Sequence, residues 1–331
     1  MIDLTTKYIG LTLSNPIIAG SSGLTSSPDK IKKLEENGAA AVVLKSIFEE
    51  EITHEYEKIV AEEASNRYKD EFLDYLDYRI KAENIDNYVK LITGAKKAVN
   101  IPVIASVNCA SKHEWTNFAK IFEEAGADAL EVNLFILPSN MNQKPEDIER
   151  TYFEVVSRLK EKIKIPIALK ISYYFTALAQ TIQRLSSSGV NGLVLFNRFY
   201  NPDIDIEKMT MTSTNVFSHP DELSISLRWI AIMAKRVNCD LAASTGIHDG
   251  AAVVKQLLAG ANAVQVVSAL YNKGPERIQN MLKDVKKWMI AKDFTTIDEF
   301  RGKLSQEKSG NPAVYERVQF MKYFSDRDVH Y

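Results

Sequence analysis

The sequence predicts a single α/β domain over residues 1–331: a (β/α)8 TIM barrel with insertions after strands two and six and a C-terminal helical extension. Two observations predict it. Short β-rich apolar runs alternate with segments of helical periodicity, the signature of parallel strands joined by crossover helices. Eight such units fit within roughly 250 residues, the usual size of this barrel. A doubly wound open sheet is the competing arrangement of the same units.

The runs are PIIAG (16–20), AVVLKS (41–46), PVIASV (102–107), ALEVNL (129–134), PIALKI (166–171), GLVLFN (192–197), DLAAST (240–245) and AVQVVS (263–268). Three open at Pro16, Pro102 or Pro166, where a missing N–H is tolerated at a strand's first position. Four follow turns in which Gly38, Gly126, Gly189 and Gly260 are placed to end the preceding helix. Residues 47–100, rich in Glu, Tyr and Lys, exceed one crossover helix. After strand six, NPDIDIEKMTMTSTNVFS predicts a small hairpin, and the tail from about 291 predicts a helical cover. Both insertions follow the C-terminal end of a strand, where barrel enzymes carry their specificity loops.

Composition narrows the function classes. The chain is 45% hydrophobic and 25% charged with a formal net charge of −2, so no bulk field favours nucleic acid or an anionic membrane. Cys109 and Cys239 are the only cysteines, too few for a disulfide framework, a cysteine-held iron–sulfur cluster or a four-thiolate zinc site, and no metal is expected. MIDLTTKYIG lacks the basic start and apolar core of a signal peptide, and no apolar run approaches the ~20 residues that span a bilayer. The expectation is a soluble, cytoplasmic protein.

In a barrel the active face is built from the last residues of each strand and the loops that follow. Here those positions hold Gly20, Ser21 and Ser22; Lys45 and Ser46; Asn108; Asn133; Lys170 and Ser172; Asn197; Ser244, Thr245 and Gly246; and Ser268. An unpaired ammonium near a barrel interior is costly, so Lys45 and Lys170 imply an anionic or strongly accepting ligand, or else an internal ion pair with a carboxylate such as Glu131. Each asparagine can simply tie down its own loop, but three on one rim beside two lysines favour a hydrogen-bonding ligand. STGIHDG (244–250) and VQVVSAL (264–270) each run from a strand into a Ser/Thr/Gly turn or helix start. That is the usual phosphate site after strands seven and eight, although an ordinary helix N-cap also wants Ser or Thr.

Together NPIIAGSSG, AVVLKS, EVNLFILPSN, IPIALKISYYF, GLVLFNRFYNPDID, STGIHDG, LLAGANAVQVVSALYNKGP and RGKLSQ give a chain that resembles the dihydroorotate dehydrogenase family of FMN-dependent barrels, and more closely its dihydroorotate dehydrogenase-like branch. The resemblance covers nearly the whole chain. It implies an FMN-dependent dehydrogenase acting on CH–CH groups, of the pyrimidine-biosynthesis type, with hydride passing between flavin N5 and a small planar substrate. By the same resemblance Gly20 and Ser21 pass beneath the flavin ring, and Lys45 and Ser46 lie near its pyrimidine edge and the substrate. Asn108 and Asn133 hydrogen-bond the flavin, Lys170 lies by N1 and O2, and Asn197 lines the substrate pocket. Gly246 and Ser268, with the amides around Ser244 and Thr245, hold the phosphate. A fixed cation at N1 and O2 opposes the negative charge that hydride arrival leaves there.

Two departures separate FMN binding from dihydroorotate as substrate. The family's Cys or Ser base falls three residues after the strand-four asparagine, and that place is Ile136. Ser139 is the nearest replacement, with a local loop hydrogen bond as its other reading; Tyr173, Tyr174, Arg198, His113, His219 and His248 are further polar candidates. The orotate-gripping loop after strand two is replaced by EEASNRYKDEFLDYLDYRIK, whose spacing is helical. The rival readings are a flavin-binding sensor or subunit without catalysis, and a lyase or isomerase forming a Schiff base at Lys45 or Lys170. A soluble electron acceptor or a partner chain is expected, and the resemblance implies a homodimer.

Overall fold

The computed structural model describes residues 2–48, 70–108, 115–199, 201–213 and 216–316. Eight parallel strands close one sheet: β1 (Ile17–Ala19), β2 (Ala41–Val43), β3 (Val103–Asn108), β4 (Ala129–Asn133), β5 (Ile167–Ile171), β6 (Gly192–Leu195), β7 (Asp240–Ser244) and β8 (Ala263–Val266); a ninth, two-residue strand, Ile47–Phe48, pairs in parallel with the end of β3. Each pairs with the next, and Val264 of β8 registers with Ile17 of β1. The sheet is therefore closed, which rules out the open doubly wound alternative.

The two-residue period of the strands divides their side chains between two cores. Val103, Leu130, Val132, Leu169 and Leu193 face out beneath the helices. Ile18, Val43, Ile104, Ala129, Ala168, Val194, Ala242 and Ala263 face in. Most of the inward set is small because the N-terminal hairpin, Thr6–Tyr8 paired with Leu11–Leu13, adds Tyr8, Ile9 and Leu13 to the same cluster. The hairpin plugs the N-terminal end of the barrel. Gly192 shows how tightly: a Cβ there would lie 2.6 Å from Ile9 Cγ2. Each fully buried plug side chain stabilises the closed floor by about 1.5–3 kcal/mol of hydrophobic transfer.

Two residues further along five of the strands, β3, β4, β5, β7 and β8, the inward positions turn polar. Ser106 and Asn108 follow Ile104, Glu131 and Asn133 follow Ala129, Lys170 follows Ala168, Ser244 follows Ala242, and Gln265 follows Ala263. The upper half of the barrel is thus built to face something other than hydrocarbon.

The outer layer comprises α1 (Pro28–Glu36), α2 (Asp70–Ala98), α3 (Trp115–Glu124), α4 (Pro145–Lys162), α5 (Leu178–Ser186), α6 (Leu223–Met233), α7 (Gly250–Ala259) and α8 (Arg277–Ala291). The four glycines expected to end helices all take positive φ. Acidic helix ends anchor strand starts: Glu35 Oε1 accepts from the Asn100 and Ile101 amides, and Glu123 Oε1 from those of Lys164 and Ile165.

The described part of the strand-two insertion begins with the short strand Ile47–Phe48, paired with β3, and continues from residue 70 as α2, helical as its spacing predicts. Its Tyr88 hydroxyl donates to Ser106 O at 2.9 Å and accepts from Ser106 N at 2.8 Å, satisfying β3 backbone at a level where β2 has already ended. The expected hairpin after β6 is present as Pro202–Asp205 paired with Thr210–Ser213. The C-terminal cover differs from expectation. Among the described residues it consists of turns and one 3-10 turn, Pro312–Tyr315, with no α-helix beyond α8. Its backbone is instead used to close other helices: Gly302 N and Leu304 N donate to Leu257 O and Leu258 O of α7, and Gln306 N to Ala231 O of α6. Carbonyls in the last turns of a helix are the ones that run short of partners within it, and Leu257 O here accepts from Gly260 N as well.

Candidate functional site

The polar upper half opens into a cavity of about 290 Å³. Of the residues singled out in the sequence, Ser21, Lys170, Asn197, Ser244, Thr245, Gly246 and Ser268 line it together. Strands β5, β7 and β8 and the loops after β1 and β6 therefore converge on one space.

Lys170 is buried at its floor. Its Nζ donates to Gln265 Oε1 at 2.9 Å and lies 3.9 Å from Glu131 Oε1, while Gln265 Nε2 donates to Glu131 Oε2. The ion pair with Glu131, one of the two alternatives for Lys170, is present and shares the ammonium with the cavity. Burial pushes the Glu131 carboxyl up, and the Lys170 charge and the Gln265 hydrogen bond oppose that rise.

The wall formed after β7 and β8 is a turn of unusual backbone. Thr245 has φ +77 and Gly246 φ +76, and a Cβ on Gly246 would lie 2.2 Å from Leu223 N. Only glycine fits there. Thr245 is a β-branched residue in a left-handed conformation, the kind of local strain that clusters at ligand sites. Its hydroxyl donates to Phe196 O at 3.2 Å. Ser218, from the loop after the hairpin, lies across this turn: its Oγ accepts from Gly246 N at 3.3 Å, its N donates to Ser268 Oγ at 2.9 Å, and its Oγ is 3.2 Å from His248 Nε2.

A chain of hydroxyls joins the tips of the first three strands. Ser21 Oγ and Ser46 Oγ are 3.0 Å apart, and Ser46 Oγ and Ser106 Oγ 2.7 Å. Across the mouth Asn197 Nδ2 donates to Asn133 Oδ1 at 2.9 Å, and Asn197 Oδ1 accepts from Arg198 N at 3.0 Å. Each asparagine thus ties a loop as well as edging the site.

Other expected residues lie elsewhere. Lys45 follows the end of β2 and is exposed, so the expectation of two buried ammonium groups holds for Lys170 alone. The cause is strand length: β2 stops at Val43, leaving Lys45 on the loop. Gly20 packs against Val267, and Ser46, Asn108 and Asn133 stand beside the cavity without lining it. Ser139 is exposed and the structure does not bring it to the cavity; its amide donates to Leu137 O at 2.8 Å, the local loop role. Ile136 is half-buried, packs against the outer core, and its amide donates to the Tyr152 hydroxyl at 3.2 Å. His113 and Cys109 lie outside the described residues.

Arg198 lines the cavity and is held by Glu222 Oε2 at 2.8 Å and Val216 O at 2.9 Å. An adjoining recess of about 40 Å³ shares Asn197, Arg198, Ser244 and Thr245 and is bounded by Tyr173. Burial raises the Tyr173 hydroxyl, with Tyr174 adding to the rise. Burial also pushes the Cys239 thiol up to about 12, which makes it an inert packing residue. Gln265 and Ser218 were missed. The first carries a signal, a lone carboxamide at an inward position of an apolar strand; the second sits in a loop whose path no periodicity records.

Among the described residues no cluster of His, Cys, Asp and Glu could hold a metal, and no helix is long and apolar enough to cross a membrane. The donors suit an elongated anion with two different ends: an ammonium under one part, and a Ser–Thr–Gly turn and the start of a helical turn at Ser268 for a phosphate.

Known proteins resemble the chain over most of its length. The family model described as dihydroorotate dehydrogenase matches residues 3–289. The chain is 27% identical over 310 residues to the dihydroorotate dehydrogenase B (NAD(+)) catalytic subunit of Thermoplasma acidophilum, covering 91% of this chain and 99% of that one. The corresponding subunit of Methanothermobacter thermautotrophicus is 27% identical over 312 residues, with 90% and 97% covered. That of Pyrococcus furiosus is 24% identical over 304 residues, with 89% and 97% covered.

Proposed function

Since the chain belongs to the dihydroorotate dehydrogenase family, we propose that it is an FMN-dependent oxidoreductase whose flavin occupies the cavity at the C-terminal end of the barrel. The observation that carries this reading is the position of the Lys170 ammonium at the floor of the same cavity whose wall is the turn from Ser244 to Gly246 and the Ser268 helix start. When bound, FMN supplies two-electron chemistry as hydride transfer at N5. Lys170 would oppose the negative charge that reduction places on the pyrimidine side of the ring. The Gly246 amide, now held by Ser218 Oγ, and the Ser268 hydroxyl would hold its phosphate. Ser21 and Ser46 stand beneath and beside the ring, and Asn108, Asn133 and Asn197 orient ring and substrate at the mouth. Lys45, exposed beside that mouth, meets the substrate rather than the floor.

The substrate is a small planar molecule. Electrons leave to a soluble acceptor or a partner chain, in keeping with relatives named as NAD(+)-linked catalytic subunits. A soluble acceptor and the cytoplasm as the working compartment are part of the proposal. Self-association as a homodimer is part of the proposal, and sedimentation tests it. Anaerobic titration of the FMN-loaded protein with dihydroorotate tests the substrate: bleaching of the flavin band makes dihydroorotate a substrate, and an unchanged band removes it.

Ile136 at the usual base position and Ser139 outside the cavity favour a second reading, flavin binding without catalysis. That reading predicts bound FMN that dithionite bleaches but no dihydropyrimidine does. Bleaching by any dihydropyrimidine overturns it.

A further inference from the structure

We propose that Glu131 is a positioning residue: with Gln265 as spacer it fixes the Lys170 ammonium at the cavity floor, and so sets how readily the bound ring accepts electrons. The inference rests on the FMN reading above; Lys170 and Gln265 line the cavity, and Glu131 stands behind them.

Glu131 occupies the inward position of β4 between Ala129 and Asn133 and is 1% exposed. Taking a carboxylate this far from water is costly unless its lone pairs are met. They are met unevenly. Oε2 accepts from Gln265 Nε2, while Oε1 has no hydrogen-bond partner and lies 3.9 Å from Lys170 Nζ. A direct charged contact closes to about 2.7–2.9 Å. The pair does not close because the same Gln265 carboxamide engages both ions, giving its N–H to the carboxylate and its oxygen to the ammonium at 2.9 Å. The other titratable groups that act on Glu131 are the phenols of Tyr8 and Tyr88, both fully buried and neutral at ordinary pH.

Two consequences have opposite signs. The fixed negative charge behind the ammonium weakens its field in the cavity, so removing that charge strengthens the pull on an electron-rich ring. The spacer keeps the ammonium forward, so removing it lets the ions close and draws the positive charge back from the cavity. A role confined to packing would not produce a signed pair of effects on an electron-transfer equilibrium.

The test is the midpoint potential of bound FMN, measured anaerobically against reference dyes. In Glu131→Gln the preference for reduced over oxidised flavin rises about tenfold, a shift of roughly +30 mV for a two-electron couple. In Gln265→Met the potential moves down, and Glu131→Asp, which keeps the charge, falls closer to the unsubstituted protein than Glu131→Gln does. An unmoved potential in Glu131→Gln, or shifts of the same sign in Glu131→Gln and Gln265→Met, overturns the inference. If Glu131→Gln does not fold, a downward shift in Gln265→Met supports the inference and an upward or absent one overturns it. Unsubstituted protein that takes up no FMN defeats the functional reading and this inference together; FMN uptake with a potential indifferent to these substitutions defeats this inference alone.

Discussion

The amide of Gly246 donates to Ser218 Oγ at 3.3 Å, so a hydroxyl from the loop after the hairpin occupies a donor of the turn we assign to phosphate. Ser218 Oγ also lies 3.2 Å from His248 Nε2, and the Ser218 amide spans to Ser268 Oγ. On that assignment the residue would be an internal competitor for the ligand. One net hydrogen bond is worth about 0.5–1.5 kcal/mol, so Ser218→Ala is expected to tighten FMN binding roughly two- to tenfold. Titration by quenching of flavin fluorescence reads this directly, and weaker binding would make Ser218 a ligand instead.

The plugged floor gives a second prediction. Gly192→Ala places a methyl 2.6 Å from Ile9 Cγ2 and 3.2 Å from Tyr8 Cε2. Overpacking of this kind costs about 1–3 kcal/mol. Ile9→Ala removes the opposing methyl, so the two substitutions together should cost less than their sum, with a coupling of about 0.5–3 kcal/mol in urea unfolding. Additive costs would show that the hairpin does not bear on β6.

His248 gives a pH dependence. Burial chiefly lowers its pKa below 6.5; His219 and Lys273 add to the fall, while the Ser218 hydrogen bond and Asp249 oppose it. Its carbonyl accepts from Arg277 Nε at 2.8 Å. A histidine whose folded pKa is depressed binds fewer protons folded than unfolded. Its contribution to stability is therefore complete above 6.5 and is lost as pH falls from there through the folded value. Thermal midpoints should drop over that range, less steeply in His248→Gln. Equal slopes for the two proteins would remove His248 from the account.

The barrel was legible because strands covered on both faces read as continuous apolar runs, and because glycines such as Gly38 and Gly260 mark where helices end. The turn from Ser244 to Gly246 was legible for a related reason: Gly246 has no substitute where a backbone nitrogen leaves no room for Cβ. Other features depend on distance along the chain. Nothing local in AVQV or ALEVN says that Gln265 and Glu131 meet, since their contact exists only once the sheet has closed. Lys45 was read as buried because AVVLKS is continuous, whereas pairing stops at Val43 and the lysine follows the loop outward. The plug was overlooked because Thr6–Leu13 is too short to show a period, and the C-terminal cover was read as helix because turns that cap other helices leave no periodic trace.

The absorption spectrum of the purified protein mixed with FMN and freed of unbound ligand tests the central claim most directly. The account predicts about one flavin per chain with a perturbed visible band, and its loss or marked weakening in Lys170→Met and in Gly246→Val. A colourless protein, or flavin retained unchanged in both variants, would contradict it.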